Sequence, residues 1–316
     1  MVRPQELNQK ILDQISKVIL GQEEICQLAI VAVFTGGHIL LEGPPGTGKT
    51  YLMRTLAHAL GLQFSRIQFT PDLMPSDIIG TNIFNFQTNQ FVLKQGPIFT
   101  QFLLADEINR TPPKTQAALL EAMQEGFITL DGRSYPLSRA FTVAATQNPI
   151  EQEGTYPLPE AQLDRFLFKL EIGFPSKNAE IEMVQRHQKN LLGTKPEDMG
   201  VEQITNEREI VAIRKAIHEV LVSDSIVEYI VSIVRKTREN PLILHGASPR
   251  SALMLTNAAR VYAVLQGRSY VIPDDVKTLV PFTLGHRIIL TPSAQIEGIT
   301  PRKALEETMA KVPVPR

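Results

Sequence analysis

Eight consecutive residues carry the clearest chemistry in the chain: Gly43-Pro44-Pro45-Gly46-Thr47-Gly48-Lys49-Thr50. They fit the spacing G-x-x-x-x-G-K-[ST], after an apolar run from His38 to Glu42 and before a helical pattern. In that setting the glycines let successive backbone N–H groups turn inward around a β-phosphate. The positive end of the following helix adds to the attraction. Lys49 then reaches the β- and γ-phosphates of a nucleoside triphosphate, and the Thr50 hydroxyl ligates magnesium. The octapeptide and the adjoining Tyr51 are therefore the expected binding residues for ATP, with Mg2+ as its companion ion. A glycine-rich turn that binds nothing is the competing reading, and the strand before and helix after weigh against it.

A second acidic motif lies about sixty residues downstream. Phe102-Leu103-Leu104-Ala105 is an apolar strand that ends in Asp106-Glu107. Ligands of open α/β sheets bind at the carboxyl ends of strands, where these acids fall. Asp106 fits the magnesium-holding acid, acting through water because magnesium keeps most of its hydration shell. Glu107 fits a base or orienter of the water that attacks the γ-phosphate. The alternative is a pair of carboxylates capping the next helix.

These residues need a scaffold, and the first half supplies the pattern for one. Strands are expected at His38 to Glu42, Phe64 to Phe69, Phe102 to Asp106, Ala140 to Thr146 and Phe166 to Ile172. Helical patterns separate them, which implies a mostly parallel sheet covered by helices. One helix is expected to open at Thr111 as N-cap, with Pro112 and Pro113 in its first turn, and to stop at Gly126. Asp131-Gly132 marks a hairpin joining Phe127–Leu130 to Arg133–Leu137, and Thr88-Asn89 a second joining Ile83–Phe86 to Phe91–Lys94. Beyond Gly173-Phe174-Pro175 no strong strand is expected. Amphipathic helices read over Ala179–Leu192, Glu207–Val222, Ser225–Arg238 (capped by Asp224), Pro249–Gln266 (closed by Gly267) and Pro273–Gly285. The expected division is 1–175 and an all-helical 176–316.

Composition narrows the class without choosing a function. The 316 residues hold 32 Lys and Arg against 33 Asp and Glu, a formal net charge of -1, which argues against a polybasic shell for DNA. Hydrophobic residues make up 43% and charged ones 21%, as in a folded core rather than a disordered chain. Cys26 is the single cysteine and the six histidines are scattered, so neither a disulfide nor a zinc-type ligand spacing is expected. No signal-peptide pattern occurs at the N-terminus and the longest apolar runs, such as Leu28 to Phe34, are too short to span a bilayer. A cytoplasmic protein without a membrane span is expected.

Longer motifs around these residues resemble the AAA+ ATPases, and the MoxR family closely, over nearly the whole chain. They include Leu20-Gly21-Gln22-Glu23-Glu24, Phe69-Thr70-Pro71-Asp72-Leu73-Met74-Pro75-Ser76-Asp77 and Ala105-Asp106-Glu107-Ile108-Asn109-Arg110 with Pro112-Pro113-Lys114-Thr115-Gln116. Ala145-Thr146-Gln147-Asn148-Pro149 and Leu158-Pro159-Glu160-Ala161-Gln162-Leu163-Asp164-Arg165-Phe166 complete the set. The resemblance implies a P-loop αβα nucleotide domain with a five-stranded parallel sheet, followed by a helical lid. It places Gly21 and Gln22 near the adenine and makes Asn148 the sensor 1 residue that helps position the attacking water. It makes Arg165 an arginine finger offered to a neighbouring subunit, and Arg250, in Ala247-Ser248-Pro249-Arg250, the sensor 2 residue of the lid. A permanently charged planar fork suits charge developing on a γ-phosphoryl group.

The same resemblance implies a homo-oligomeric ring, a hexamer in family terms, and relates the hairpins at 83–94 and 127–137 to insertions that often face a pore or client. Packing of Phe84, Phe86 and Phe91 at a sheet edge is the alternative for the first of them. Only 42 residues precede Gly43 and no D-x-S-x-S motif occurs, so a separate client-recognition domain and a von Willebrand A module are not expected in this chain. The favoured expectation is a chaperone-like ATPase that matures partner complexes or assists metal or cofactor insertion. Its protein client could itself be a von Willebrand A domain protein, with nucleic acid disfavoured. The rivals are the motor subunit of a metal chelatase, a DNA translocase, and a nucleotide-gated switch that hydrolyses slowly.

Overall fold

In the computed structural model, which describes residues 3–149, 154–188 and 195–315, the five expected apolar runs pair into one parallel sheet. In chain order the strands of the first half are β1 (Ile39–Glu42), β2 (Phe64–Gln68), β3 (Gly80–Asn85), β4 (Gln90–Gln95), β5 (Phe102–Asp106), β6 (Phe127–Leu130), β7 (Arg133–Pro136), β8 (Thr142–Gln147) and β9 (Phe168–Glu171). The sheet has the spatial order β2-β5-β8-β1-β9. Leaving β1, the chain runs out to the β2 edge, returns through β5 and β8, and adds β9 on the other side of β1. The order therefore reverses beside β1, and the crevice at a reversal point is where open α/β sheets bind ligands.

Helices cover both faces. In the first half they are α1 (Pro4–Ser16), α2 (Glu23–Thr35), α3 (Lys49–Ala59), α4 (Pro75–Ile79), α5 (Pro113–Glu125) and α6 (Glu160–Leu163). The period of two along the strands divides the core. Ile39, Leu41, Phe102 and Leu104 face the layer of α1, α2 and α3, while Leu40, Leu103, Ala105 and Val143 face the layer of α5. β5 is buried throughout and β8 nearly so, which is why both read as unbroken apolar runs.

The later part is built from α7 (Lys177–Gln188), α8 (Glu207–Ala216), α9 (Asp224–Thr237), α10 (Pro249–Leu265), α11 (Pro273–Leu284), α12 (Pro292–Ile296) and α13 (Pro301–Ala310). It is not wholly helical. β10 (Ile243–His245) and β11 (Ile289–Leu290) pair antiparallel, too short for a periodicity argument to detect. The long helix expected from Glu207 to Val222 stops at Ala216 and tightens into a 3-10 turn at Ile217–Glu219. Leu192, the expected end of the preceding helix, lies outside the described residues.

Two caps also differ from expectation. Thr111 does not cap α5; its hydroxyl donates to the Thr70 carbonyl at 3.0 Å, and Pro112 takes the cap position. Asp224 is the first residue of α9 rather than its cap, because the Ser223 hydroxyl accepts from the Ile226 N–H. Both hairpins form, but that of β3 and β4 turns over the four residues 86–89, so Phe86 belongs to the turn rather than the strand, while that of β6 and β7 turns where expected. Asp131 and Gly132 have φ of 49° and 76°, the left-handed pair that a two-residue hairpin needs, and Leu130 pairs with Arg133 across it. No described helix is long and apolar enough to cross a membrane.

Candidate nucleotide site

The loop between β1 and α3 holds its shape through glycine conformations that other residues resist. Gly46 and Gly48 have φ of 81° and 78°, and a Cβ on either would meet nothing within 4 Å, so backbone geometry rather than crowding calls for glycine. Gly43 is required for the opposite reason: a Cβ there would lie 2.2 Å from the Ile172 carbonyl oxygen, just beyond β9. α3 starts at Lys49 with Gly48 at its N-cap and no side chain capping it, and such a helix start favours an anion. Lys49 Nζ donates to the Gly43 and Pro44 carbonyls at 2.8 and 2.7 Å, curling over the loop. Burial lowers its pKa, and Asp106 and Glu107 oppose that shift. The segment before α2 touches the loop as well, through Gln22 Nε2 and the Thr47 carbonyl at 3.4 Å. Gly21 sits against Ala179 of α7.

The two acids sit at the end of β5, bound into a network with β2 and β8. Asp106 Oδ2 accepts from the Thr50 hydroxyl at 3.2 Å, and from Arg66 Nε and Nη2 at 3.0 and 2.7 Å. Its Oδ1 accepts from the Thr146 hydroxyl at 2.6 Å, and the same hydroxyl oxygen accepts the Glu107 N–H at 2.8 Å. Glu107 has φ 57° and ψ 50°, a left-handed conformation that is uncommon outside glycine. Its Oε2 accepts from Gln68 Nε2 at 2.7 Å and pairs with Arg110 Nε at 3.1 Å. Arg66 Nη2 also donates to Gln68 Oε1 at 2.6 Å, so β2 holds both carboxylates through two linked side chains.

A cavity of about 390 Å³ is lined by the loop from Pro45 to Tyr51 together with Asp106, Glu107, Thr146, Gln147 and Asn148. Pro45, Gly46, Thr47, Gly48, Lys49, Thr50, Tyr51, Asp106, Glu107 and Asn148 thus converge from residues spread over a hundred positions of sequence. A hydroxyl and one carboxylate, their oxygens 3.2 Å apart, are the sparse hard-oxygen set that suits a magnesium ion retaining water and phosphate ligands. Burial raises the pKa of the Tyr51 phenol, which stays neutral.

Arg165 and Arg250 are not among the residues lining this cavity. Arg165 follows α6 and is half-buried. Arg250, in the first turn of α10, lies with Nε 3.8 Å from Asp164 Oδ2. Arg250 therefore lies beside the Asp164-Arg165 step, and neither arginine lines the cavity around the loop of its own chain. A cavity of about 300 Å³ adjoins the first, sharing Gln147 and Asn148 and reaching Leu158 and Leu163 near that step. Glu42 and Lys169 pair across it at 2.6 Å. Arg66, Gln68 and Thr146 were not foreseen. Arg66 and Gln68 alternate on β2 in register with Leu104 and Asp106 of β5, so the polar alternation at a strand end was the available signal.

The family model described as "ATPase family associated with various cellular activities (AAA)" matches residues 38–168, and one described as "AAA lid domain" matches residues 235–308. The chain is 41% identical to Chaperone MoxR1 of Mycobacterium tuberculosis, an alignment covering 98% of this chain and 82% of that one. It is 32% identical to Protein MoxR of Methylorubrum extorquens, over 88% and 86% of the two chains. The chain belongs to the MoxR family of AAA+ ATPases. It is also 48% identical to YeaC of Bacillus subtilis, over 97% and 94% of the chains. A crystal structure from Cytophaga hutchinsonii superimposes with a TM-score of 0.89 at 42% identity, covering 99% and 97%. The expected αβα MoxR-type core with a parallel five-stranded sheet is borne out, and the lid match falls on α9 to α13.

Proposed function

We propose that this chain is a Mg2+-dependent ATPase, converting ATP and water to ADP and phosphate, that remodels or matures protein complexes in the manner of a chaperone. What carries this reading is the single cavity in which the phosphate loop, Asp106, Glu107 and Asn148 meet at the reversal point of the sheet. Residues 1–175 form the nucleotide-binding body and 176–316 the lid, with Gly21 and Gln22 beside the base. Thr50 and Asp106 hold magnesium, which when bound screens charge on the phosphates. Lys49 exchanges its two loop carbonyls for phosphate oxygens. Glu107 orients the attacking water and takes its proton as the β–γ bridge breaks, with Asn148 fixing the water's position.

Arg165 reaches the nucleotide of a neighbouring subunit in a homo-oligomeric ring, which accounts for its place outside the cavity of its own chain. Arg250 contributes from the lid. The client is a protein, a von Willebrand A domain protein being the leading class, and the setting is cytoplasmic. The name Chaperone MoxR1 supports the remodelling reading, and the exposed Phe86 and Phe91 of the β3–β4 hairpin supply an apolar contact for a client.

Paired variants test the assignment. Glu107→Gln keeps the side chain's shape and loses the charge that orients water, so ATP is expected to bind normally while turnover falls by about a hundredfold. Lys49→Ala is expected to weaken nucleotide binding itself. Wild-type turnover by Glu107→Gln, followed by phosphate release, would remove Glu107 from the mechanism.

A further inference from the structure

Arg287 is the most heavily engaged buried cation among the described residues, and its partners surround Arg165. It lies in the 3-10 turn Gly285–Arg287 that follows α11, with its side chain 2% exposed. Nε donates to Asp164 Oδ1 at 2.7 Å. Nη2 donates to the carbonyls of Asp164 and Phe166 at 2.9 and 2.6 Å, and Nη1 to that of Leu167 at 3.3 Å. Nη1 also donates to the Thr283 carbonyl of α11, and Nη2 lies 3.0 Å from the Met254 sulfur of α10. The neighbouring His286 adds Nε2 at 3.0 Å from the Phe166 carbonyl. The backbone on both sides of Arg165 is thus held by one planar fork rooted between α10 and α11.

We propose that Arg287 is a positioning residue that ties the Arg165 finger to the lid of its own subunit. The proposal rests on the reading of Arg165 as a finger acting in trans. Asp164 is the joint. One oxygen takes Arg287, and the other faces Arg250 of α10 at 3.8 Å, so two arginines of the lid side share the carboxylate of the residue next to the finger. A guanidinium presents its donors in a rigid plane, so the Asp164–Leu167 turn follows α10 and α11 when they move. A lysine cannot reproduce this, because an ammonium is a point charge on a flexible stem. Lid position in one subunit, which its own nucleotide controls, thereby sets how well its finger serves the next subunit's nucleotide.

Subunit mixing with Arg287→Lys tests the link, and Asp164→Asn gives a second, independent perturbation of the same joint should the lysine variant not fold. Each is compared with Arg165→Ala. Arg287→Lys is expected to lower kcat by about ten- to a hundredfold, the range that misplacing a catalytic group reaches, with KM for ATP changed less than about twofold. Added to Arg165→Ala it is expected to lower kcat little further, because both changes disable one unit. Mixed with Lys49→Ala, whose finger is intact, Arg287→Lys is expected to exceed the summed rates of the separate preparations. A residue that merely supported its own nucleotide site would raise KM, act additively with Arg165→Ala and gain nothing on mixing. Rescue of Arg165→Ala without rescue of Arg287→Lys or Asp164→Asn would overturn the proposal and leave the trans finger standing. Failure of Arg165→Ala itself to be rescued would instead remove the trans finger, and the proposal with it.

Discussion

At the scale of single residues, the site is held by charges that have partners before any ligand arrives. Asp106 Oδ2 is shared between the Thr50 hydroxyl and the Arg66 fork. A hydrated magnesium ion needs that same oxygen, so Arg66 and the cation compete for it. The Arg66 side chain is 48% exposed and that of Asp106 10%, so solvent screens the pair from the Arg66 side and it is worth on the order of 1 kcal/mol, or roughly fivefold in an equilibrium. Arg66→Ala should therefore lower the Mg2+ concentration giving half-maximal ATP turnover by a few-fold, up to about fivefold. Titrating Mg2+ at saturating ATP measures it, and an unchanged or higher midpoint would show that Arg66 does not oppose the ion. Glu107 is restrained in a similar way, by Gln68 and Arg110 on Oε2, which leaves Oε1 as the oxygen to accept a proton from water without breaking those contacts.

At the scale of elements, His38 fastens the start of β1 to the neighbouring strand β8 and to the helix layer beside it. Its Nε2 lies 3.0 Å from the Met123 carbonyl of α5, and its Nδ1 accepts the Val143 N–H of β8 at 3.0 Å. That pair of partners requires the neutral ring with its proton on Nε2. Burial is the main reason its pKa falls from 6.5 to about 4, with the nearby Arg214 charge acting in the same direction. Between those values the unfolded chain binds a proton that the folded chain refuses, so stability is lost as pH falls from about 6.5 toward 4, by up to about 1.4 kcal/mol per pH unit from this group. Urea unfolding at pH 7.5, 5.5 and 4.5 should show a shallower acid loss for His38→Gln than for wild type, and equal slopes would remove His38 from the acid response. The elements themselves were legible where period or turn chemistry is strong. β5 has the expected bounds, Gly126 closes α5 with φ 70°, and Asp131-Gly132 makes its turn. Caps were less so: the Thr111 hydroxyl is taken by the distant Thr70 carbonyl, which only the fold supplies, and beside Asp224 the adjoining Ser223 was an equally good local cap. β10 and β11 are fixed by tertiary pairing of five residues, too few for any pattern. The phosphate loop and the acids could be read from local spacing. Arg66 and Gln68 offered only polar alternation at a strand end, and Arg287 offered no local signal, because their importance lies in partners distant along the chain.

At the scale of the whole molecule, charge is balanced in number. The chain has 32 basic and 33 acidic residues, and many surface cations sit beside acids of the same helix. Arg186 pairs with Glu182 at 2.6 Å, Lys277 with Asp274 at 3.2 Å, and Arg302 with Glu306 at 3.3 Å. The longest basic grouping, Arg235-Lys236 with Arg238, ends α9, where cations suit the helix dipole, and Lys236 is bound to Glu239 at 3.0 Å. A phosphate backbone would meet no continuous strip there. The β3–β4 hairpin has the opposite character. Phe86 and Phe91 are 88% and 67% exposed, and Phe84 packs edge-on against both at 5.2 Å, so the hairpin presents aromatic rings among neutral polar residues and carries no charge between Asn82 and Leu93. Such a tip suits a protein surface and has nothing for a polyanion. ATP turnover is therefore expected to change severalfold on adding a protein partner, and Phe86→Ser with Phe91→Ser should abolish that response while leaving basal turnover intact. Single- or double-stranded DNA at about 0.15 M salt, where weak phosphate contacts are screened, should leave turnover flat. Strong stimulation by DNA at that salt, lost when the Arg235–Arg238 cations are neutralised and untouched by the hairpin substitutions, would replace the protein-remodelling reading with a translocase.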